Sequence, residues 1–334
     1  MSLPSAELRR LINGFQVSQA IHVAAVLGIA DLLAGGPRDA GDLATATESD
    51  AGALYRLLRA LAAVGVLREE EGRRFSLTQL GDGLRSDAEA PVAGWAAFIG
   101  RPSYWQAWGA LLHAVRTGEN AFRHVNGADP WTYRAAHPDE AAAFDRAMAD
   151  LTRRSHASVM AAYDFSRFAT VVDVGGGNGA FLAAVLPAFP GMRGVLLDLP
   201  HAVAQAPAVF AAAGVTERCD AVAGDFFKEV PSGGDAYVLR AVLHDWEDDD
   251  AAAILAACRS AMDGEARLVV IERDLGPPNA QPDAKLSDLN MLVAPGGRER
   301  TMAEYGDLLA HARLTLEESH EAGYGLHVMV SRPA

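Results

Sequence analysis

The chain has 334 residues, half of them apolar and 22% charged, which is the balance of a soluble globular protein long enough for two domains. Its 29 basic and 43 acidic residues leave a net charge of −14, a field that repels polyanions and argues against nucleic-acid binding. No apolar run approaches the ~20 residues needed to span a bilayer, and no basic leader with a cleavage site opens the chain, so a cytoplasmic protein without membrane contact is expected.

Residues 1–165 read almost entirely as helix. The stretch "VSQAIHVAAVLGIADLL", residues 17–33, carries apolar side chains at helical spacing on too wide an arc for one buried stripe, so it hints at a subunit interface. "DAGDLATATESDAGALYRLLRALAAVGVL" gives two short helices joined by a polar turn, and "REEEGRRFSLTQLG" reads as a hairpin. Helix, turn, helix and β-wing form a winged-helix pattern. Between Asp39 and Arg74 there are seven acids against five bases, too acidic a balance for reading DNA. A dimerisation module is the better expectation. Further helices run from Ala90 to Tyr163, where Trp95, Trp105, Trp108 and Trp131 serve either as core or as the wall of a pocket for a flat molecule.

At Thr170 the period changes. "TVVDVGGGNGAFLAAVL" is a buried strand, a glycine turn and a helix; "RGVLLDLP", "CDAVAGDFF", "DAYVLRAVLHDW" and "ARLVVIERDL" supply four more strands with helices between them. The chain closes on "LTLEESHEAGYGLHVMVSRPA", a hairpin that makes an antiparallel edge.

The glycine turn matches a dinucleotide pattern through Gly175, Gly177 and Ala180, with Asp198 placed 23 residues beyond Gly175 to accept ribose hydroxyls. Alone it fits a nicotinamide cofactor. Three features favour S-adenosyl-L-methionine instead. Asp225 and Phe226 of "GDFF" end the third strand where an adenine would lie, the sheet ends in a hairpin rather than a second mononucleotide half, and no cation near the turn awaits a pyrophosphate. Cys219 and Cys258 stand alone, and the ten histidines show neither HxxxH nor HExxH spacing, so no metal is expected.

The pieces "VVDVGGGNG", "LDLP", "GDFF", "LHDW" and "GGRERT", in that order, resemble the cation-independent O-methyltransferases of the hydroxyindole and caffeate type, including bacterial members that decorate aromatic natural products. The resemblance covers nearly the whole chain. It implies an α/β class I methyltransferase fold: a Rossmann-like sheet, parallel with an antiparallel C-terminal edge, behind a mostly helical winged-helix dimerisation domain. The expected division is residues 1–90 for dimerisation, 91–165 for a helical linker and pocket region, and 166–334 for the catalytic domain.

The resemblance makes His244 the general base, flanked by Glu272 and Glu299. It assigns Gly175, Asp198, Leu199, Asp225, Phe226 and Arg240 to the cofactor, Arg240 standing where plant members often have lysine. Asp245 also falls near the cofactor in the resemblance; the competing reading is that, with the acids that follow, it favours the start of the next helix. Phe144, Met148, Asn290 and Met291 match positions that line the acceptor pocket. The implied reaction is metal-independent transfer of methyl to a hydroxyl of an aromatic small molecule by a homodimer, with S-adenosyl-L-homocysteine as product. The competing readings are a nicotinamide-dependent oxidoreductase, a winged-helix regulator that senses S-adenosylmethionine, and a relative that hydroxylates or decarboxylates. One departure stands out: Arg313 of "HARL" occupies a place where the family has glycine.

Overall fold

From Thr170 onward, strands that read as unbroken apolar runs have both faces to bury, and they assemble into a sheet covered by helices on each side. The computed structural model describes residues 4–334. Among the described residues ten strands occur in chain order: β1 (Arg38–Asp39), β2 (Leu67–Glu70), β3 (Arg74–Leu77), β4 (Thr170–Val174), β5 (Arg193–Asp198), β6 (Cys219–Ala223), β7 (Ala236–Arg240), β8 (Arg267–Arg273), β9 (Leu314–Glu321) and β10 (Leu326–Pro333). Seven of them form one sheet in the order β6-β5-β4-β7-β8-β10-β9. The first five of that order pair in parallel, and β10 pairs antiparallel with both β8 and β9. The expected parallel sheet with an antiparallel edge is present.

The period of two sorts each strand. Val171, Val238, Val269, Ile271 and Val328 meet Phe181, Leu182 and Phe210 on one face. Val172, Val174, Leu239, Leu268 and Val270 meet Ile254, Leu255 and Tyr305 on the other. Strand order reverses between β4 and β7, and in such sheets the crevice beyond the strand carboxyl ends is where ligands bind. That edge carries Gly175 after β4, Asp198 at the end of β5, Asp225 after β6, Arg240 at the end of β7 and Glu272 near the end of β8.

The chain divides into two compact units, one running to Trp105 and including Asp139–Arg154, the other comprising Gln106–Pro138 and Ser155–Ala334. The helices of residues 91–165 are therefore shared between them. In the first unit, helices Ala40–Ala46 and Ala51–Ala63 are capped by Asp39 and Asp50, and β2 and β3 form the wing. A short β1 joins the wing beside β3, an addition that two residues of sequence do not announce. Leu43, Leu54, Leu58, Leu61 and Phe75 close this core. The apolar stretch 17–33 is not one helix. It ends at Val26 and restarts at Ile29, because Gly28 adopts a left-handed φ of 64° that breaks the hydrogen-bond ladder.

At the far end of the second unit Arg313 takes φ 58°, the left-handed conformation glycine favours, directly after the helix Met302–His311. The turn forms all the same, with Arg313 N–H donating to the Ala310 carbonyl and Ala334 N–H donating to the Arg313 carbonyl. Among the described residues no helix is long and apolar enough to cross a membrane.

Candidate active site

The catalytic candidate sits on a turn that the sequence forces. β7 ends at Arg240, Ala241 turns left-handed at φ 53°, and residues Leu243–Asp245 form a single 3-10 turn with Leu243 buried beneath it. Two long-range groups clamp this turn. Glu272 Oε1 accepts from the backbone N–H of Val242 at 2.9 Å and of Leu243 at 2.7 Å. Arg300, 1% exposed, donates to the carbonyls of Leu243 and Trp246, both at 2.9 Å, and pairs with Asp248 at 2.7 Å. Backbone closes the third side: a Cβ at Gly297 would lie 2.2 Å from the His244 carbonyl oxygen and 2.2 Å from Trp246 N, so only glycine fits.

The His244 imidazole projects from this clamp among carboxylates. Its Nδ1 lies 3.2 Å from Glu272 Oε2 and 3.4 Å from Glu299 Oε1, and both glutamates are inaccessible to solvent. Neither contact is aligned as a hydrogen bond at Nδ1, so charge more than bond geometry holds the ring. On the other side Nε2 is 3.6 Å from Asp245 Oδ1. The two buried glutamates favour the proton on Nδ1 and leave Nε2 as the acceptor nitrogen. Burial lowers the imidazole pKa, but Glu272, Glu299 and Asp245 outweigh it and raise the value well above the ordinary one.

The glutamates are not equivalent. Burial raises Glu272, which spends one oxygen on the turn backbone. Burial also acts on Glu299, but His244, the Ser287 hydroxyl at 2.6 Å and Arg273 at 3.8 Å hold its carboxyl below the usual range. Burial raises Asp245 to about 6 against the opposing pull of His244 and Arg134. Asp245 precedes the helix Asp248–Ala261, whose first turn has its own three acids, so its carboxylate faces the imidazole rather than starting the helix.

The crevice beyond β4 and β5 is built from backbone. Gly175 has φ 72°, and a Cβ there would meet Val242 at 2.9 Å and Phe226 at 3.3 Å. Asp198 accepts from Gly177 N–H at 2.7 Å and from Leu199 N–H at 2.6 Å, which fixes its carboxylate at the strand end with lone pairs left for hydroxyls. Asp225 caps its own turn through Phe227 N–H and pairs with Lys228. Phe226 stands edge-on to Trp246 at 6.0 Å, Phe227 does so at 4.8 Å, and Trp131 stacks parallel to Trp246 at 6.2 Å. Arg240 donates to Ser155 Oγ at 2.6 Å and lies over the Phe181 ring. Beneath the glycine turn, burial raises Asp173 to about 7 against the pull of Arg240, and neither Asp173 oxygen has a hydrogen-bond partner among the described residues. A glycine cradle, a carboxylate fixed at the end of β5 and aromatic rings fit S-adenosylmethionine.

The helix Pro282–Val293 connects two of the residues expected to line an acceptor pocket to Glu299. It carries Asn290 and the buried Met291, while its Ser287 and Asp288 hold Glu299 by side chain and by backbone N–H. Phe144 and Met148 lie on the helix Pro138–Ala162 in the other compact unit, where Phe144 packs edge-on to Phe98 at 5.5 Å. Sequence reasoning passed over Arg300, Ser287, Asp173 and Trp246. Each except Ser287 stood inside a quoted motif, but its partners are distant in the chain, Leu243 lying 57 residues from Arg300 and Trp131 further still from Trp246, and spacing does not reveal them. It also passed over a surface cluster, His113, Glu119 and His124, that folding brings together. His113 Nε2 lies 2.7 Å from Glu119, and the two imidazoles stack at 3.6 Å with planes 13° apart. Parallel rings aim their lone pairs side by side rather than at one point, so this arrangement does not chelate as it stands.

Residues 9–87 match the O-methyltransferase dimerisation domain and residues 108–314 match the O-methyltransferase domain. The chain is 41% identical over 330 residues to Phenazine O-methyltransferase PhzM of Lysobacter antibioticus, covering 98% of this chain and 96% of that protein. The crystal structure of LaPhzM matches with a TM-score of 0.95 at 40% identity over 100% of both chains. An O-methyltransferase from neocarzinostatin biosynthesis, solved with S-adenosylmethionine and 2-hydroxy-5-methyl naphthoic acid, matches with a TM-score of 0.81 at 34% identity, covering 95% of this chain and 96% of that one. The chain belongs to the family of S-adenosylmethionine-dependent O-methyltransferases.

Proposed function

We propose that this enzyme methylates a phenolic hydroxyl of an aromatic secondary metabolite, in the cytoplasm and without a metal, with His244 as general base. The observation that carries this reading is the imidazole's asymmetry: Nδ1 faces two buried glutamates, and Nε2 is left to accept a proton. A phenol with pKa ~10 is only about 0.1% ionised at neutral pH, so proton removal has real work to do. His244 Nε2 takes the hydroxyl proton as the oxygen becomes nucleophilic, a step typically worth about 10²–10⁴-fold. Glu272 and Glu299 stabilise the imidazolium that results. S-adenosylmethionine, when bound, supplies a methyl group on a positively charged sulfur that departs as a neutral thioether.

In this reading Gly175, Gly177, Asp198, Leu199, Asp225, Phe226, Arg240 and Asp245 serve the cofactor. Phe144, Met148, Asn290 and Met291 serve the acceptor. Asn290 supplies a polar group for a carboxylate or second hydroxyl, so Asn290→Leu should lose selectivity among acceptors that differ there. Aromatic acids bound to the neocarzinostatin-pathway relative support the acceptor class. The dimerisation-domain match, with Leu8, Leu11, Ile12 and Phe15 each more than half exposed, supports a homodimer. Sedimentation of a monomer at micromolar concentration would argue against it.

The test is transfer of labelled methyl from S-adenosylmethionine to a panel of hydroxylated aromatics, with and without EDTA. Transfer to one acceptor class, unaffected by EDTA, is expected. Loss of transfer in EDTA, restored by a divalent ion, would contradict the metal-free mechanism. Donor binding with hydroxylation or decarboxylation in place of transfer would contradict the reaction.

A further inference from the structure

The carboxylates around His244 hold one added positive charge well, and the fold leaves no provision for a second. Glu272 on β8, Glu299 after the helix Pro282–Val293, and Asp245 on the turn itself lie 3.2, 3.4 and 3.6 Å from the ring nitrogens. Each is backed by a guanidinium. Arg273 is 3.8 Å from Glu299, Arg134 acts on Asp245, and Arg240 and Glu272 act on one another. Of the other groups packed here, Ser287 and Tyr305 are neutral, Arg300 is spent on Asp248 and the turn carbonyls, and Asp288, which accepts from Glu299 N–H, is a further carboxyl offset by Arg298. The cluster attracts one cation through its near carboxylates, and the arginines behind them penalise a second.

Two cations compete for that place: the imidazolium of His244 and the sulfonium of the methyl donor. Resting on the proposed reaction, we propose that His244 gives up a proton to solvent when the cationic donor binds, and keeps it when the neutral thioether product binds. The charges then balance through a turnover. Donor binding releases one proton, methyl transfer moves the acceptor's proton to His244 as the sulfonium becomes a thioether, and the product departs from an imidazolium enzyme. The single proton of the net reaction therefore leaves at donor binding, and the base is made ready only when there is a methyl to transfer.

The expected size follows from proximity. Proton and methyl meet the same oxygen, which puts sulfur within about 7 Å of Nε2, and at an effective dielectric near 20 two unit charges at that distance change a protonation equilibrium by about 50-fold. The presence of carboxylates raises the imidazole's ordinary pKa, so the window lies on the alkaline side of it.

Calorimetric titration without acceptor, in buffers of differing ionisation enthalpy from pH 6 to 10, measures this directly on the full-length protein. Proton release should peak at about 0.75 per site with S-adenosylmethionine inside the window, the most that a roughly 50-fold change allows, and stay near zero with S-adenosylhomocysteine. The ratio of the thioether's Kd to the donor's Kd should rise about 50-fold from the acid to the alkaline limit. In His244→Asn the ratio should be flat apart from titration of the ligands' own amino groups, and thioether binding shows that this variant is folded. Glu272→Gln should move the window toward lower pH. Equal proton counts for both ligands in the wild type, or an unchanged slope in His244→Asn, would overturn the proposal. If labelled methyl is still transferred and the transfer still needs His244, the general-base reading survives that outcome.

Discussion

Of the places in the second unit that bring histidine and carboxylate together, two make the sharpest contrast. At His113 the pair with Glu119 spans 2.7 Å and a second imidazole, His124, stacks on the first, yet Glu119 is half exposed and the rings sit on two short helices, Leu111–Thr117 and Ala121–Asn126. At His244 the contacts are longer, 3.2 and 3.4 Å, but both glutamates are fully buried and the backbone beneath is fixed by Glu272, Arg300 and Gly297. The shorter contact is the weaker one in consequence. Solvent screens the surface pair, while burial lets the carboxylates at His244 shift its proton equilibrium. Charge chemistry follows from what encloses the groups more than from the distance between them.

Substitution of the two histidines gives the largest contrast. His244→Asn should lower methyl transfer by about 10²–10⁴-fold, whereas His113→Ala should leave kcat and KM unchanged and move stability by less than about 0.5 kcal/mol, read by steady-state kinetics and thermal melting. A comparable loss from the surface substitution would erase the distinction.

The next effect separates the clamp from the charge. Arg300→Met removes donors from two buried carbonyls and should cost roughly 2–4 kcal/mol by urea unfolding, with kcat falling more than KM rises. The Glu272 replacements part the same roles. Glu272→Gln keeps an oxygen for the turn's N–H groups and loses the charge, while Glu272→Ala leaves two buried N–H groups unmet and should unfold at clearly lower urea.

The pH dependence has a definite sign. The folded pKa of His244 is raised, so its contribution to stability is complete below the ordinary imidazole value and is lost as pH climbs through the raised one. Activity runs the other way, because the base acts when neutral: the rate should rise with pH, and Glu299→Gln or Glu272→Gln should shift that rise to lower pH. A rise displaced to higher pH would contradict the electrostatics drawn here.

The smallest effect lies away from both clusters. Arg313→Gly relieves a left-handed φ of 58° and should stabilise the protein by about 0.5–1 kcal/mol in a melting experiment, without touching activity.

Much of this was legible before the structure. Strands buried on both faces announce themselves as apolar runs, the glycine turn carries its own backbone requirement, and "LHDW" places a histidine where a strand ends. The resemblance in motif order supplied the roles of Glu272 and Glu299, and folding brings both to one imidazole. What stayed hidden depends on distant approach. Arg300 reads as one more charge in "GGRERT" until the turn at Leu243 folds against it, and Ser287 as an ordinary helix residue until Glu299 arrives. The stretch 17–33 reads as helical throughout, because apolar spacing is blind to a left-handed residue such as Gly28. The surface histidine cluster is the opposite lesson: its spacing matched no ligand pattern, and the fold assembled it anyway.

The most direct test of the central claim is single-turnover methyl transfer, followed with labelled S-adenosylmethionine across pH 6 to 10 in the wild type and His244→Asn, each at saturating donor. The account predicts a wild-type rate that rises with pH to a plateau and a variant rate at least about 100-fold lower and without that rise. A variant that keeps the wild-type rate and profile would show that the proton leaves by another route, and His244 would lose its place as the base.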